Sequence, residues 1–363
     1  MQITVNTERL KDDMAKAIKG ASCNKMLPIT GLISISVSNN SDFSELTFIT
    51  TDANNYLYVH EPLENAEDFC VVVQVDTLYK LVSKLTSEYT TLCVEDDTLV
   101  IHSNGTYKLE LPLDENGELI KYPDPIKNDA IAVREATVVE ISDIKKICNT
   151  AKSALATSLE IPCYTGYYIG KQTIATDTYK ICGINKQLFD TPILVGADTL
   201  DLVNLADEDV RVSVGEDNVI FSTSTIEVYG KLMDSISNYQ VDAISNLLNE
   251  DFSCSRSVRK SDLLQLLDRL SIFVGVYDKN AINLTFNNDG LTITSRQANS
   301  VENLGYASGK GNCEDFTCAI DIEMFTSQVK VVDSEFVEIY FGRDNAIKIV
   351  TGDVTQIIAL LED

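Results

Sequence analysis

Two histidines, His60 and His102, and nine cysteines are the side chains best suited to metal binding or nucleophilic chemistry in this 363-residue chain. The histidines stand alone in alternating, strand-like runs, where an imidazole packs or faces solvent more often than it acts as a base. The cysteines are odd in number and scattered, with no Cys-x-x-Cys pair, so neither a zinc site nor a disulfide framework is indicated. They read as buried apolar thiols. Gly305-Tyr306-Ala307-Ser308-Gly309-Lys310-Gly311 is one residue too short for a phosphate-binding P-loop, and glycine follows the lysine where Ser or Thr is needed. Glu95-Asp96-Asp97 reads as a solvated turn. No metal and no cofactor are expected, and the chain does not read as an enzyme.

Charge is the strongest anomaly. The chain carries 29 Lys+Arg against 55 Asp+Glu, a net charge of −26, so the molecule as a whole should repel nucleic acid and anionic membrane. No apolar run approaches the roughly 18 residues that span a bilayer, and the start MQITVNTERLKDD lacks the apolar stretch of a signal peptide. A cytoplasmic protein without membrane contact is the expectation.

Six segments have the apolar spacing of amphipathic helices: residues 8–19 (with Thr7 as cap), 76–85, 143–156 (with Ser142 as cap), 197–205, 260–273 and 321–332. Together they net +1, which leaves −27 on the rest of the chain. Helices near neutrality inside an acidic protein form a surface that tolerates a polyanion while the strands repel it. Lysine is also a good helix former that snorkels on any solvated face, and this reading accounts for the same count.

The helical segments recur in two interleaved series, one starting at 8, 143 and 260 and the other at 76, 197 and 321. This periodicity implies a triplicated unit of about 121 residues. Alternating runs at 32–37, 46–50, 98–102 and 282–293 read as strands, the last broken by the hairpin signal Asn287-Asn288-Asp289-Gly290. Residues 121–128, with two prolines, and the polar stretch 245–257 read as linkers. The expected architecture is α+β, with domains at 1–128, 129–249 and 250–363.

Local residues then resemble the bacterial sliding clamp family, the beta subunit of DNA polymerase III. Lys25-Met26-Leu27-Pro28-Ile29-Thr30-Gly31 is similar to that family's Leu-Pro-Ile-Leu segment. Ile174-Ala175-Thr176-Asp177-Thr178-Tyr179-Lys180-Ile181 is similar to its Ala-Thr-Asp-Gly-His-Arg-Leu segment, and Thr50-Thr51-Asp52-Ala53 repeats the element one unit earlier. Asp268-Arg269-Leu270-Ser271-Ile272-Phe273 resembles the third-domain helix that meets a neighbouring subunit.

The resemblance implies three topologically similar clamp domains, each with two helices and two antiparallel sheets, and two chains closing a ring. Its implied role is a processivity factor that encircles duplex DNA and tethers a polymerase. DNA-facing positions would be Lys16, Lys19, Lys25, Lys80, Lys84, Lys145, Lys146 and Lys152, making loose, salt-dependent phosphate contacts. A peptide-binding cleft for the polymerase and the clamp loader would involve Tyr164, Thr176, Thr178, Tyr179, Lys180, Ile181, Val241, Ile357, Ile358 and Leu360. The ending Ala359-Leu360-Leu361-Glu362-Asp363 departs from the family's usual Met-Pro-Val/Met-Arg, and Thr178-Tyr179 stands where it has Gly-His. The homodimer interface would place Tyr107 and Leu109 against Ile272 and Phe273 of the partner. The competing reading is an acidic DNA mimic or interaction scaffold that occupies a nucleic-acid-binding partner.

Overall fold

The computed structural model describes every residue except 1, 23, 40–43, 64–65, 129–132, 276–278, 297–298, 312–313 and 363. Cys23, Cys313 and the expected boundary at 128/129 therefore touch positions outside the described residues. Eight helices are described: α1 (Thr7–Ala17), α2 (Val75–Val82), α3 (Pro125–Asn128), α4 (Ile141–Thr150), α5 (Ala197–Val203), α6 (Val241–Leu248), α7 (Lys260–Leu270) and α8 (Ile322–Lys330).

All six expected helices form, with shifted ends. Asn6, not Thr7, caps α1, because its side-chain oxygen accepts from the Glu8 and Arg9 amides at 3.1 and 3.2 Å. Thr7 is instead buried and hydrogen-bonded to Thr90. Helix α4 begins at Ile141, so Ser142 lies in its first turn and is not its cap. Helix α7 stops at Leu270, and Ser271–Phe273 continue as a 3-10 turn. Two expected linkers contain helix. Residues 121–128 hold α3, and α6 runs into the stretch at 245 because Val241, Ile244 and Leu248 make an apolar stripe that polar neighbours disguise.

The chain folds into two compact units, Met1–Ile144 with Asp198–Leu232, and Lys145–Ala197 with Met233–Asp363. The first unit contains an eight-stranded antiparallel sheet in the spatial order Phe69–Gln74, Leu32–Asn39, Ser44–Thr51, Asn55–Leu63, Ile226–Lys231, Asn218–Ser222, Val210–Val214, Glu135–Val139. A smaller sheet joins Gln2–Asn6, Tyr89–Glu95, Thr98–His102 and Thr106–Glu110. Helices α1 and α2 pack on each other within this unit. Leu10, Met14, Phe48 and Leu57 are buried in it.

The second unit repeats the plan. Its large sheet runs Ile193–Gly196, Gly166–Ile169, Thr173–Thr176, Lys180–Ile184, Val354–Ala359, Ala346–Thr351, Phe336–Phe341, Cys254–Arg259, with Ser308–Lys310 added as a ninth strand. Its small sheet joins Val301–Leu304, Leu291–Ser295, Ala281–Phe286 and Phe316–Asp321, and the expected Asn-Asn-Asp-Gly hairpin connects two of these. Helices α7 and α8 pack together here over a core that includes Leu263, Leu267, Phe325 and Ile339.

In each large sheet, strands from one stretch of sequence meet strands from a later one. Val59 lies opposite Ile226 in the first unit, and Ile181 opposite Ile357 in the second. Residues 129–249 thus give four strands to each large sheet. Six described cysteines are free thiols; Cys148, Cys163, Cys182 and Cys318 are buried as expected, whereas Cys93 is half-buried and Cys70 exposed, and Cys254 is disulfide-bonded, against expectation.

Candidate functional site

The Thr-Asp motifs build one turn twice. In the first unit the Thr51 hydroxyl donates to the Asn55 carbonyl at 2.6 Å, and one Asp52 oxygen accepts from the Asn54 and Asn55 amides at 2.9 and 2.7 Å. In the second, Thr176 donates to the Lys180 carbonyl at 2.7 Å, and Asp177 accepts from the Tyr179 and Lys180 amides at 2.9 and 2.7 Å. Ala53 and Thr178 at the turn apices take positive φ, 86° and 80°, a conformation that the aspartate and threonine bonds hold in place against its steric cost.

Around the second turn lies an apolar cluster. Cys163, Tyr164, Ile174, Ile181, Leu194, Tyr239, Ile244, Leu248 and Ile357 are buried in it, with Tyr168 and Val241 packed partly against it. Tyr164 meets Tyr239 edge-on at 5.1 Å, Tyr168 lies 5.5 Å from Tyr239, and the Tyr239 hydroxyl donates to the Ile174 carbonyl. Burial pushes the Tyr164 and Tyr239 phenols up, so both stay neutral and serve as apolar walls with one polar end. Helix α6 forms one wall, and it approaches so closely at Gly183 that a Cβ there would stand 2.6 Å from a Leu248 methyl.

Of the ten expected cleft residues, Tyr164, Ile181, Val241 and Ile357 belong to this cluster. Thr176 is buried and spends its hydroxyl on the turn, Thr178 is exposed at the apex, and Tyr179 is 61% exposed. The Lys180 ammonium is turned inward, donating to the Ser153 carbonyl at 2.6 Å and pairing with Asp177 at 3.2 Å. Ile358 is fully buried in the other core, with Val258 and Phe325, and Leu360 packs partly against that core too. Sequence reading missed Tyr168, Tyr239, Ile244 and Leu248. The last three sit in or beside α6, whose 1-4-8 apolar spacing was the available signal.

The basic positions divide. Lys16 lies 3.6 Å from Asp207, Lys80 pairs with Asp76 one turn earlier at 3.0 Å, and Lys146 is ion-paired with Asp353. Lys25 and Lys84 are exposed, Lys145 is half-buried on α4, and Lys152 is exposed on the 3-10 turn Lys152–Ala154. Lys19 lines a cavity of about 710 Å³ together with Asp52, Asp198 and Asp201. Among the described residues no group of three or more His, Cys, Asp or Glu side chains could hold a metal ion, and no helix is long and apolar enough to cross a membrane.

Tyr107 and Leu109 are half-buried on Thr106–Glu110, the edge strand of the first small sheet. Ile272 and Phe273 are 78% and 52% exposed on the turn after α7.

Residues 1–121 match the family described as DNA polymerase III beta subunit, N-terminal domain. Among solved structures, the DNA polymerase III beta chain of Streptococcus pneumoniae superposes with a TM-score of 0.85 at 18% identity over 100% of both chains. The Bacillus subtilis sliding clamp and the Thermotoga maritima beta subunit each give 0.82 at 18% identity, over 100% of this chain and 99% of theirs. A search of curated protein sequences found no match. The first third of the chain is therefore similar to a DNA polymerase III beta-subunit N-terminal domain, and the whole chain shares the fold of these solved sliding clamps.

Proposed function

We propose that this chain is a DNA sliding clamp, a non-catalytic processivity factor that encircles duplex DNA as a homodimeric ring and tethers a replicative polymerase. The observation that carries the proposal is the full-length likeness to the clamp fold, joined to the family match of the first 121 residues. The repeated strand order of the two large sheets supports three domains near 1–128, 129–249 and 250–363, of which the middle one is shared between the sheets. The basic residues on α1, α2, α4 and their flanking turns are the proposed DNA-facing set, and the acidic remainder keeps the chain from gripping phosphate elsewhere. The apolar cluster around Tyr164 and Tyr239 is the proposed peptide-binding cleft for polymerase and clamp loader, and Tyr107, Leu109, Ile272 and Phe273 are the proposed dimer contact. A cytoplasmic location follows from this role.

Negative-stain electron microscopy of the purified protein tests the reading. Class averages are expected to show a closed ring of two chains with a hole wide enough for a duplex. Compact particles without a hole at every concentration would favour the acidic scaffold instead.

A further inference from the structure

We propose that the large sheet of the first unit carries a binding site for a linear oligoamine, a chain of methylenes with two or more ammonium groups. A cavity of about 800 Å³ opens on this sheet, within the range that small ligands occupy. Its floor is laid by strand register. Cys70, Ser36, Thr47 and His60 lie opposite one another in a row across four strands, and Ser34, Ile49, Tyr58 and Glu227 form the next row. The stretch 122–126 makes a wall, tied down where the Tyr122 hydroxyl donates to the Leu32 carbonyl at 3.2 Å and the Tyr58 hydroxyl to Asp124 at 2.8 Å.

Three carboxylates reach this cavity, and they are spread along it. Asp68 precedes the strand Phe69–Gln74, Asp124 meets Tyr58, and Glu227 lies on the fifth strand of the sheet order, roughly 19 Å from the first at ordinary strand spacing. Asp68 also accepts from the Asn39 amide at 2.8 Å. These amide and hydroxyl bonds orient the carboxylates without neutralising them. The His60 imidazole beside Glu227 holds that carboxyl below its usual range, so it is ionised at neutral pH. Among the described residues no lysine or arginine lines the cavity, and Lys121, next to Tyr122 in sequence, is exposed and outside the lining.

Carboxylates this far apart do not close on one ion, and no group of three His, Cys, Asp or Glu among the described residues could hold a metal. The serine and threonine hydroxyls and the apolar Ile49, Phe69 and Ile126 lie in the same lining. Such a surface suits a ligand whose ammonium groups, each with three donors, alternate with methylenes.

Isothermal titration calorimetry of the full-length protein with spermine is expected to show one saturable site per chain, weakening as salt screens the carboxylates. Asp68→Asn and Glu227→Gln should each lower the affinity about tenfold, whereas Glu115→Gln, at an exposed carboxylate outside the cavity, should leave it unchanged. Spermine should also slow the alkylation of Cys70, which lines the cavity, and not that of Cys93 on the small sheet, a readout that needs no variant. Absence of a saturable site, equal losses in all three variants, or unchanged Cys70 reactivity would overturn the site and leave only condensation of the amine on an acidic surface. Tighter binding of trilysine than of spermine would overturn the free oligoamine as ligand and assign the cavity to a lysine side chain of another protein.

Discussion

Ile357 and Ile358 are neighbours in one strand and are buried in two different cores. Ile357 sits with Tyr164 and Tyr239, and Ile358 with Val258 and Phe325. Successive side chains of a strand point to opposite faces, so only one of the pair can border the proposed cleft. Truncating either to Ala removes buried volume and is expected to cost about 3 kcal/mol of stability. Only Ile357→Ala should also weaken a cleft-binding peptide, as anisotropy at a temperature where both variants are folded would reveal. Equal loss of peptide affinity in the two would contradict this division.

Much of this arrangement is legible in the sequence. The two helix series, the Asn-Asn-Asp-Gly hairpin and the paired Thr-Asp turns rest on local periodicity and turn chemistry, which short segments express directly. The apolar cluster proposed as the peptide cleft is less legible because it depends on long-range pairing. Which of Ile357 and Ile358 faces Tyr239 is decided by the register of Val354–Ala359 against Lys180–Ile184, and no window of sequence contains both strands. The commitment of Lys180 to Ser153, 27 residues away, and of Lys146 to Asp353, 207 residues away, is hidden for the same reason. The apolar stripe of helix α6 is local, but Ser245, Asn246 and Asn249 make its second half read as a linker.

His60 lies between two carboxylates contributed by strands on either side of its own. Its Nδ1 is 3.2 Å from Glu45, and its Nε2 is 3.6 Å from Glu227, an ion-pair distance too long for a hydrogen bond. Burial alone would lower its pKa, but Glu227 and Glu45 outweigh burial and raise it. A raised folded pKa means that the histidine stabilises the fold fully below its unfolded value near 6.5 and loses that contribution as pH rises through the folded value. His60→Gln should therefore lower Tm at pH 6 by a few degrees and by less at pH 9. A pH-independent difference would show that His60 acts by packing alone.

Asp13 behaves in the opposite chemical sense with the same pH direction. Burial, then the neighbouring Glu61, push its carboxyl up to about 7, partly offset by Lys16. The folded state therefore holds the proton more tightly than the unfolded chain, and stability declines as pH rises from about 4 through 7. Asp13→Asn removes the buried charge, so it should raise Tm at pH 8 by a few degrees, on the order of 1 kcal/mol, and change little at pH 5. Thermal melts at the two pH values check this, and a variant less stable at pH 8 would mean that the links to Lys16 and Arg9 dominate.

The lysines differ in what they have left to offer a phosphate. Lys16, Lys80 and Lys146 are drawn toward Asp207, Asp76 and Asp353, whereas Lys25 and Lys84 are exposed in turns flanking α1 and α2. Reversing Lys25 and Lys84 to Glu should lower retention on circular DNA and reduce the slope of log affinity against log salt by about 1 for each phosphate no longer neutralised. Reversing Lys80 instead should have a smaller effect on DNA, because Asp76 already screens it, while removing an exposed pair worth a few tenths of a kcal/mol. Equal effects from all three would show that the ion pairs open on DNA.

The exposed pair Ile272 and Phe273 is expected to be covered by a second copy of the chain. Replacing both with Asp puts two charges into an apolar contact and should yield monomers by light scattering, with unchanged circular dichroism because neither side chain is buried in its own chain. An edge strand such as Thr106–Glu110 can accept a partner strand on its open side, so a proline at Leu109 should produce the same monomer from the opposite surface. Monomers from one substitution and dimers from the other would break the pairing of these two surfaces. Dimers from both would place the contact elsewhere on the chain.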